Sequence, residues 1–207
     1  MKYLVLAAFF AMTGLYLYYQ RLKNKPGSGL IKRIAVKCSA TLMAALVGLV
    51  GAIDSGLPAH WMIFAGIVMG AVADGILCVH FMMGVATFAV GHVLYIIGFS
   101  MLRLPGWGSL MVFACLLAGF SALCARWKRN MGRRAPMLLG YGMLLALMTA
   151  VSAAQQPLLF AGGLLFAVSD ALLAYRLFMR SGVKTDYASL GMYYLAQFLM
   201  GLAIYLQ

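Results

Sequence analysis

The chain of 207 residues contains no glutamate, and its four acidic residues are all aspartates. Charged residues of both signs make up only 10% of the sequence, whereas soluble domains carry about 25%. This shortfall excludes an ordinary soluble globular domain. Hydrophobic residues make up 65% of the chain and the mean hydropathy is +0.96, which indicates an integral membrane protein.

The sequence also lacks the spacings of common metal and cofactor sites. No two cysteines form a C-x-x-C motif, and no cysteine and histidine are spaced as zinc ligands. His60 and His80 lie near loops on opposite faces of the membrane, so they cannot readily join His92 in a three-histidine zinc site. A nucleophile elbow, a P-loop and a dinucleotide fingerprint are also missing. We therefore expect no metal and no organic cofactor.

Eight apolar segments are suited to crossing a bilayer as α-helices, each of which needs about 20 residues. The spans run Lys2–Tyr19, Ile34–Ile53, Trp61–Val79, Met83–Leu102, Trp107–Ala125, Met137–Ser152, Pro157–Phe178 and Ser189–Leu206. The segments that connect them are short. The sequence therefore predicts an all-α, polytopic membrane helix bundle, with residues 1–207 in a single integral membrane domain.

Basic residues are concentrated on one side of these spans. That side carries 14 of the 16 Lys and Arg residues, namely Arg21, Lys23, Lys25, Lys32, Arg33, Lys37, Arg126, Lys128, Arg129, Arg133, Arg134, Arg176, Arg180 and Lys184. The positive-inside rule predicts that this side is cytoplasmic and that both termini lie outside. The same rule accounts for the net charge of +12 without a nucleic-acid partner. We expect the chain to lie in the plasma membrane.

A short internal repeat links the third and seventh spans. Residues 71–77, Ala-Val-Ala-Asp-Gly-Ile-Leu, match residues 167–173, Ala-Val-Ser-Asp-Ala-Leu-Leu, at four of seven positions. The offset of 96 residues is close to half of the chain, and both spans run in the same direction. The repeat suggests two parallel four-helix halves.

The repeat places Asp74 and Asp170 inside apolar spans, whereas Asp54 and Asp186 fall in predicted loops, where an aspartate needs no special explanation. A carboxylate near the bilayer centre costs about 2.5–3.5 kcal/mol on the mildest scale, so such residues usually face a cavity or a partner. Each lies 13 residues into its span, which is about 20 Å from the outer face at 1.5 Å per residue. Asp74 and Asp170 are therefore candidate functional residues, and a helix-packing hydrogen bond is the structural alternative.

Other polar side chains reach a comparable depth. Span four carries His92, with Tyr95 on the same stripe, and span eight offers Tyr193, Tyr194 and Gln197. We expect these groups to converge with the two aspartates on one polar pocket, although each also fits a packing role. Lys37 enters span two from the basic side, where it either snorkels to the interface or binds a lipid phosphate.

These pieces together resemble the YhhN-like membrane proteins, the lysoplasmalogenase family. The similarity rests on Ala73-Asp74-Gly75-Ile76-Leu77, on Phe88 through His92 to Tyr95 and Phe99, on Val168-Ser169-Asp170-Ala171-Leu172-Leu173-Ala174, and on Tyr193-Tyr194 with Gln197. Lys37 also stands where the family often has a lysine. The resemblance implies Asp74 and Asp170 as catalytic residues, with His92, Tyr95, Ser169, Tyr194, Gln197 and Lys37 binding or orienting the substrate.

The implied activity is hydrolysis of the vinyl ether bond of lysoplasmalogens, with a lysophospholipid as substrate and membrane lipids around it. This reaction needs an acid that is still protonated near neutral pH, and desolvation favours the protonated form of a carboxyl group. One aspartate would donate the proton and the other, ionised, would stabilise the cation, but the sequence does not assign the two roles. A small-molecule or proton-coupled transporter and a non-catalytic lipid-binding protein are the alternatives.

Overall fold

The computed structural model describes residues 2–132, 135–179 and 182–207, and within them the chain forms eight α-helices. They are α1 (Lys2–Lys23), α2 (Leu30–Ser55), α3 (Pro58–Leu77), α4 (Phe81–Leu102), α5 (Trp107–Met131), α6 (Ala135–Ser152), α7 (Pro157–Met179) and α8 (Val183–Tyr205). All eight are long and apolar enough to cross a membrane, so the predicted all-α bundle of eight spans is confirmed. Arg133, Arg134 and Arg180 of the basic side lie outside the described residues.

Several helices extend beyond the predicted spans on the basic side. α8 begins at Val183 instead of Ser189, and α5 ends at Met131 instead of Ala125. These extensions contain polar and basic residues, which a search for apolar runs leaves out. The backbone nevertheless remains helical there, because a helix satisfies its main-chain hydrogen bonds internally whether or not its side chains are apolar.

Both aspartates that were predicted in loops lie in helices, so that prediction was wrong. Asp54 is exposed in the last turn of α2, and Asp186 lies in the first turn of α8. Asp186 forms ion pairs with Lys23 at the end of α1, at 2.5 Å, and with Arg176 in the last turn of α7. A carboxylate is favoured at a helix N-terminus by the helix dipole, and this one also connects three helix ends.

The order of neighbouring helices repeats between the two halves of the chain. Helices α1 to α4 contact one another in sequence, and so do α5 to α8. The two halves meet mainly through α2 with α8 and through α4 with α6, and these two contacts exchange when each helix is replaced by the one four places away. α8 also contacts α1 and α3, and the corresponding contacts of α4 with α5 and α7 are absent within the described residues. This arrangement agrees with the two four-helix halves suggested by the repeat around Asp74 and Asp170.

The two halves differ in how tightly they pack. α2 and α8 approach so closely that a Cβ atom added to Gly51 or Gly201 would collide with the backbone of the other helix. α5 instead contacts only α6 and, more sparsely, α7 within the described residues, and most of its membrane-spanning side chains are not buried. The bundle is therefore closed around α2, α3 and α8 and looser around α5.

Candidate active site

Asp74 lies in a buried ion pair between α3 and α2. The Lys37 ammonium is 3.0 Å from Asp74 Oδ1, while the hydroxyls of Thr41 and Tyr193 donate to Oδ2 at 2.5 Å and 2.9 Å. The Asp74 side chain is 1% exposed and the Lys37 side chain 8%. A buried charge needs a partner of opposite sign together with further hydrogen bonds, and Asp74 has both.

This geometry corrects the sequence interpretation of Lys37. The side chain was expected either to snorkel to the membrane interface or to bind a lipid phosphate, but it is buried and directed at Asp74. Thr41, one helical turn after Lys37 on α2, was not anticipated at all. Its only sequence signal is the spacing of four residues, which places a hydroxyl on the same face of the helix as Lys37.

A row of hydrogen bonds continues from Asp74 toward α4. Tyr193 accepts from Gln197 Nε2 at 3.5 Å, and Gln197 Oε1 accepts from the Tyr95 hydroxyl at 2.5 Å. Gly70 and Gly66 make room for these side chains, since an added Cβ at Gly70 would meet Gln197 and Tyr193, and one at Gly66 would meet the Tyr95 ring. The small residues of α3 therefore admit polar side chains from neighbouring helices.

Asp170 belongs to a second cluster, formed by α7, α6 and α4. The Tyr141 hydroxyl donates a short hydrogen bond to Asp170 Oδ2, and His92 Nε2 lies 3.0 Å from the same hydroxyl oxygen. Tyr141 was missed by the sequence analysis, although it is the only aromatic residue of α6. A single aromatic with a polar tip in an otherwise aliphatic span is the signal that marks it.

Aromatic rings stand between the two clusters. The Phe166 ring is centred 4.8 Å from the His92 ring and 5.4 Å from the Tyr193 ring, and Phe88 packs against both Phe166 and Tyr193. Each aspartate has its own set of hydrogen-bond partners. The expected polar side chains are thus present near both carboxyls, but they form two clusters instead of a single polar pocket.

A cavity of about 320 Å³ opens beside Asp170, enclosed by residues of α4, α5, α6 and α7. Its walls are almost entirely apolar, with Asp170 and Tyr141 as the polar groups that stand out among residues such as Leu116, Phe120 and Leu145. Along α7 the lining runs from Leu164 to Phe178, about 21 Å at 1.5 Å per residue. Asp74 is not part of this lining.

Two other predicted site residues, Ser169 and Tyr194, lie away from the cavity. Ser169 and Ser189 each donate to the backbone carbonyl of the other, at 2.8 Å and 2.9 Å, which holds α7 against α8. The Tyr194 hydroxyl donates to the Lys37 carbonyl at 3.3 Å. The hydroxyls of Ser169 and Tyr194 therefore both take part in hydrogen bonds between helices.

Comparison with known families shows that the model of the YhhN family matches residues 32–204. The chain belongs to the YhhN family. No curated protein and no solved structure matches it. The matched range contains both aspartate clusters and the cavity of this YhhN protein, whereas α1 lies before it.

Proposed function

We propose that this YhhN protein is a membrane-embedded hydrolase that cleaves the vinyl ether bond of lysoplasmalogens, releasing a fatty aldehyde and a glycerophospho head group. The observation that carries the proposal is a carboxyl group, Asp170, on the wall of a long apolar cavity. Such a cavity suits a hydrocarbon chain, and the carboxyl suits the one reactive bond that joins this chain to the polar head.

The shape of the cavity supports a lipid substrate. α4 and α5 both line it, yet these two helices do not contact each other within the described residues. This gap offers a route for a chain from the surrounding bilayer. The lining also reaches Phe81 and Phe178, which lie at the helix ends of the basic side, where cationic residues suit a phosphate head group.

The surroundings of the two aspartates separate their proposed roles. Asp74 has the counter-charge that a buried carboxylate needs, since the Lys37 ammonium lies 3.0 Å from its Oδ1. Asp170 has no Lys or Arg within ion-pair distance in the described part of the chain, and an unpaired charge in apolar surroundings is strongly disfavoured. We therefore assign the acid to Asp170. Asp74 would act on the reaction indirectly, through the positions of α3 and α8.

In the proposed reaction, Asp170 transfers its proton to the carbon of the double bond that is remote from the ether oxygen. The π bond breaks and an oxocarbenium ion remains at the carbon attached to that oxygen. The Asp170 carboxylate, held by Tyr141, then accepts a proton from water as the water oxygen bonds to the cationic carbon. The hemiacetal finally cleaves its C–O bond to glycerol, its hydroxyl loses a proton, and the glycerol oxygen gains one.

The proposal is tested with purified protein in nanodiscs, supplied with lysoplasmenylethanolamine and assayed for aldehyde release. Asp170→Asn should lower turnover about 100-fold or more, which is the usual contribution of a general acid. Asp54→Asn is the matched control, since Asp54 is exposed at the far end of α2, and it should keep wild-type turnover. Wild-type turnover in Asp170→Asn would refute the acid role.

A second control changes the substrate instead of the protein. A lysolipid with a saturated ether in place of the vinyl ether has nearly the same shape, but it offers no double bond to protonate. It should bind competitively and release no product. Binding of both lipids without turnover of either would instead favour a non-catalytic lipid-binding protein.

A proton-coupled transporter is the second candidate, and the buried Asp74–Lys37 pair is the observation that favours it. Solute uptake into proteoliposomes that depends on a pH gradient, without aldehyde release, would support this candidate over the hydrolase.

A further inference from the structure

His92 has one nitrogen in a hydrogen bond and one without a partner. It is fully buried, and its Nε2 lies 3.0 Å from the Tyr141 oxygen. Nδ1 is buried and makes no hydrogen bond. The rings of Phe166 and Tyr95 pack beside the imidazole, with centroids 4.8 Å and 6.5 Å away.

Two directions of hydrogen bonding are possible along the three side chains. In the first, His92 Nε2–H donates to Tyr141 and the Tyr141 hydroxyl donates to Asp170 Oδ2. In the second, a protonated Oδ2 donates to Tyr141 and Tyr141 donates to an unprotonated His92 Nε2. The second direction places the imidazole proton on Nδ1.

The partnerless nitrogen decides between these directions. In the second direction Nδ1 would be a buried N–H donor without an acceptor, which is rare and costly in proteins. A positively charged imidazole would bury the same unpaired donor together with a charge. In the first direction Nδ1 carries only a lone pair, so the imidazole buries no unsatisfied donor.

We infer that His92 is a positioning residue that acts through Tyr141 and fixes which oxygen of Asp170 carries the acidic proton. Because Oδ2 accepts from Tyr141, the proton of the neutral carboxyl group lies on Oδ1. Oδ1 is then the atom that gives the proton to the substrate carbon, a consequence that rests on the proposed function. Oδ2 stays an acceptor throughout, so Tyr141 also stabilises the carboxylate that remains after proton transfer.

The first test needs neither substrate nor activity. The protein is labelled with ¹⁵N-histidine in nanodiscs, and the signals of its three histidines are assigned with His60→Gln and His80→Gln variants. His92 should be neutral with its proton on Nε2, and Tyr141→Phe, which removes the acceptor, should abolish this preference. A proton on Nδ1, or an imidazolium, in the wild-type protein would overturn the inference.

The second test asks whether His92 acts only through Tyr141. His92→Leu should lower kcat about tenfold, as expected for one lost buried hydrogen bond, with KM unchanged. His92→Gln keeps an N–H donor at a similar position and should stay within about threefold of wild type. In a Tyr141→Phe background, His92→Leu should cause no further loss of kcat, whereas independent, multiplying losses would overturn the inference.

His60 provides the matched control. It is as fully buried as His92, but it is hydrogen-bonded to Ser55 and Gln207 at the other end of the bundle. His60→Leu should lower stability while the folded protein keeps its kcat. If the wild type releases no aldehyde but His92 shows the Nε2–H form, the proposed reaction fails while the inferred hydrogen-bond direction is supported.

Discussion

Removing the Lys37 charge should destabilise the bundle far more than removing other lysine charges. Lys37→Met keeps most of the side-chain volume but leaves the carboxylate of Asp74 buried without a counter-charge, since both side chains are less than a tenth exposed. Loss of one partner from a buried ion pair costs about 3–5 kcal/mol. For a chain of this length that corresponds to an apparent Tm lower by roughly 10 °C. Thermal unfolding in a fixed detergent, at a fixed scan rate, measures the change.

Two further variants make this prediction specific. Lys25→Met removes an exposed lysine from the segment between α1 and α2 and should leave the apparent Tm within about 1 °C. Lys37→Met combined with Asp74→Asn removes both charges and should recover most of the loss, because a buried pair contributes little beyond the cost of desolvating it. If Lys37→Met is as stable as Lys25→Met, or if the double variant is less stable than Lys37→Met, the ion-pair reasoning is refuted.

Two other predictions probe the cavity and the basic end. Gly142→Ala should raise KM for the lysolipid severalfold with little change in kcat, because the added methyl group would meet the Phe120 ring on the cavity wall and displace it. Gly140→Ala is the control, since an added methyl group there meets open space, and it should have the KM and kcat of the wild type. Asp186→Asn should lower the apparent Tm by only a few degrees, because a partly exposed ion-pair cluster contributes about 1 kcal/mol. In 1 M salt the apparent Tm of Asp186→Asn should equal that of the control Asp54→Asn, because salt screens the charges. A loss that persists in high salt would show that Asp186 acts by something other than charge.

The sequence identified the groups with the strongest chemical character. Carboxyl groups inside apolar spans are costly enough to stand out in any reading of the chain, and a spacing of 13 residues from each span start gave Asp74 and Asp170 a similar depth. His92 and Gln197 were found because few polar residues occur in these helices. Both are fully buried in the clusters that the structure describes.

The partners of these groups were harder to predict. Tyr141 lies on a different helix from His92 and Asp170, and no spacing within one helix relates the three residues. The same holds for Lys37, whose position near the start of a span suggested the interface until the structure placed Asp74 within 3.0 Å of it. Contacts of this kind depend on which helices are neighbours and on how each is rotated about its axis.

Hydropathy by itself identified eight segments suited to crossing a membrane, and within the described residues each forms a helix that is long and apolar enough to do so. Such segments must be helical, because lipid offers their backbone polar groups no other partner. It did not determine which face of a helix points inward. Lipid-facing and core-facing surfaces are both apolar, so a helix such as α4 is nearly uniform around its circumference. Only the tertiary packing divided the polar residues into an ion-paired cluster around Asp74 and a second cluster in which Asp170, hydrogen-bonded to Tyr141, lies on the wall of an apolar cavity. Small residues such as Gly66 and Gly70 admit the polar side chains of neighbouring helices.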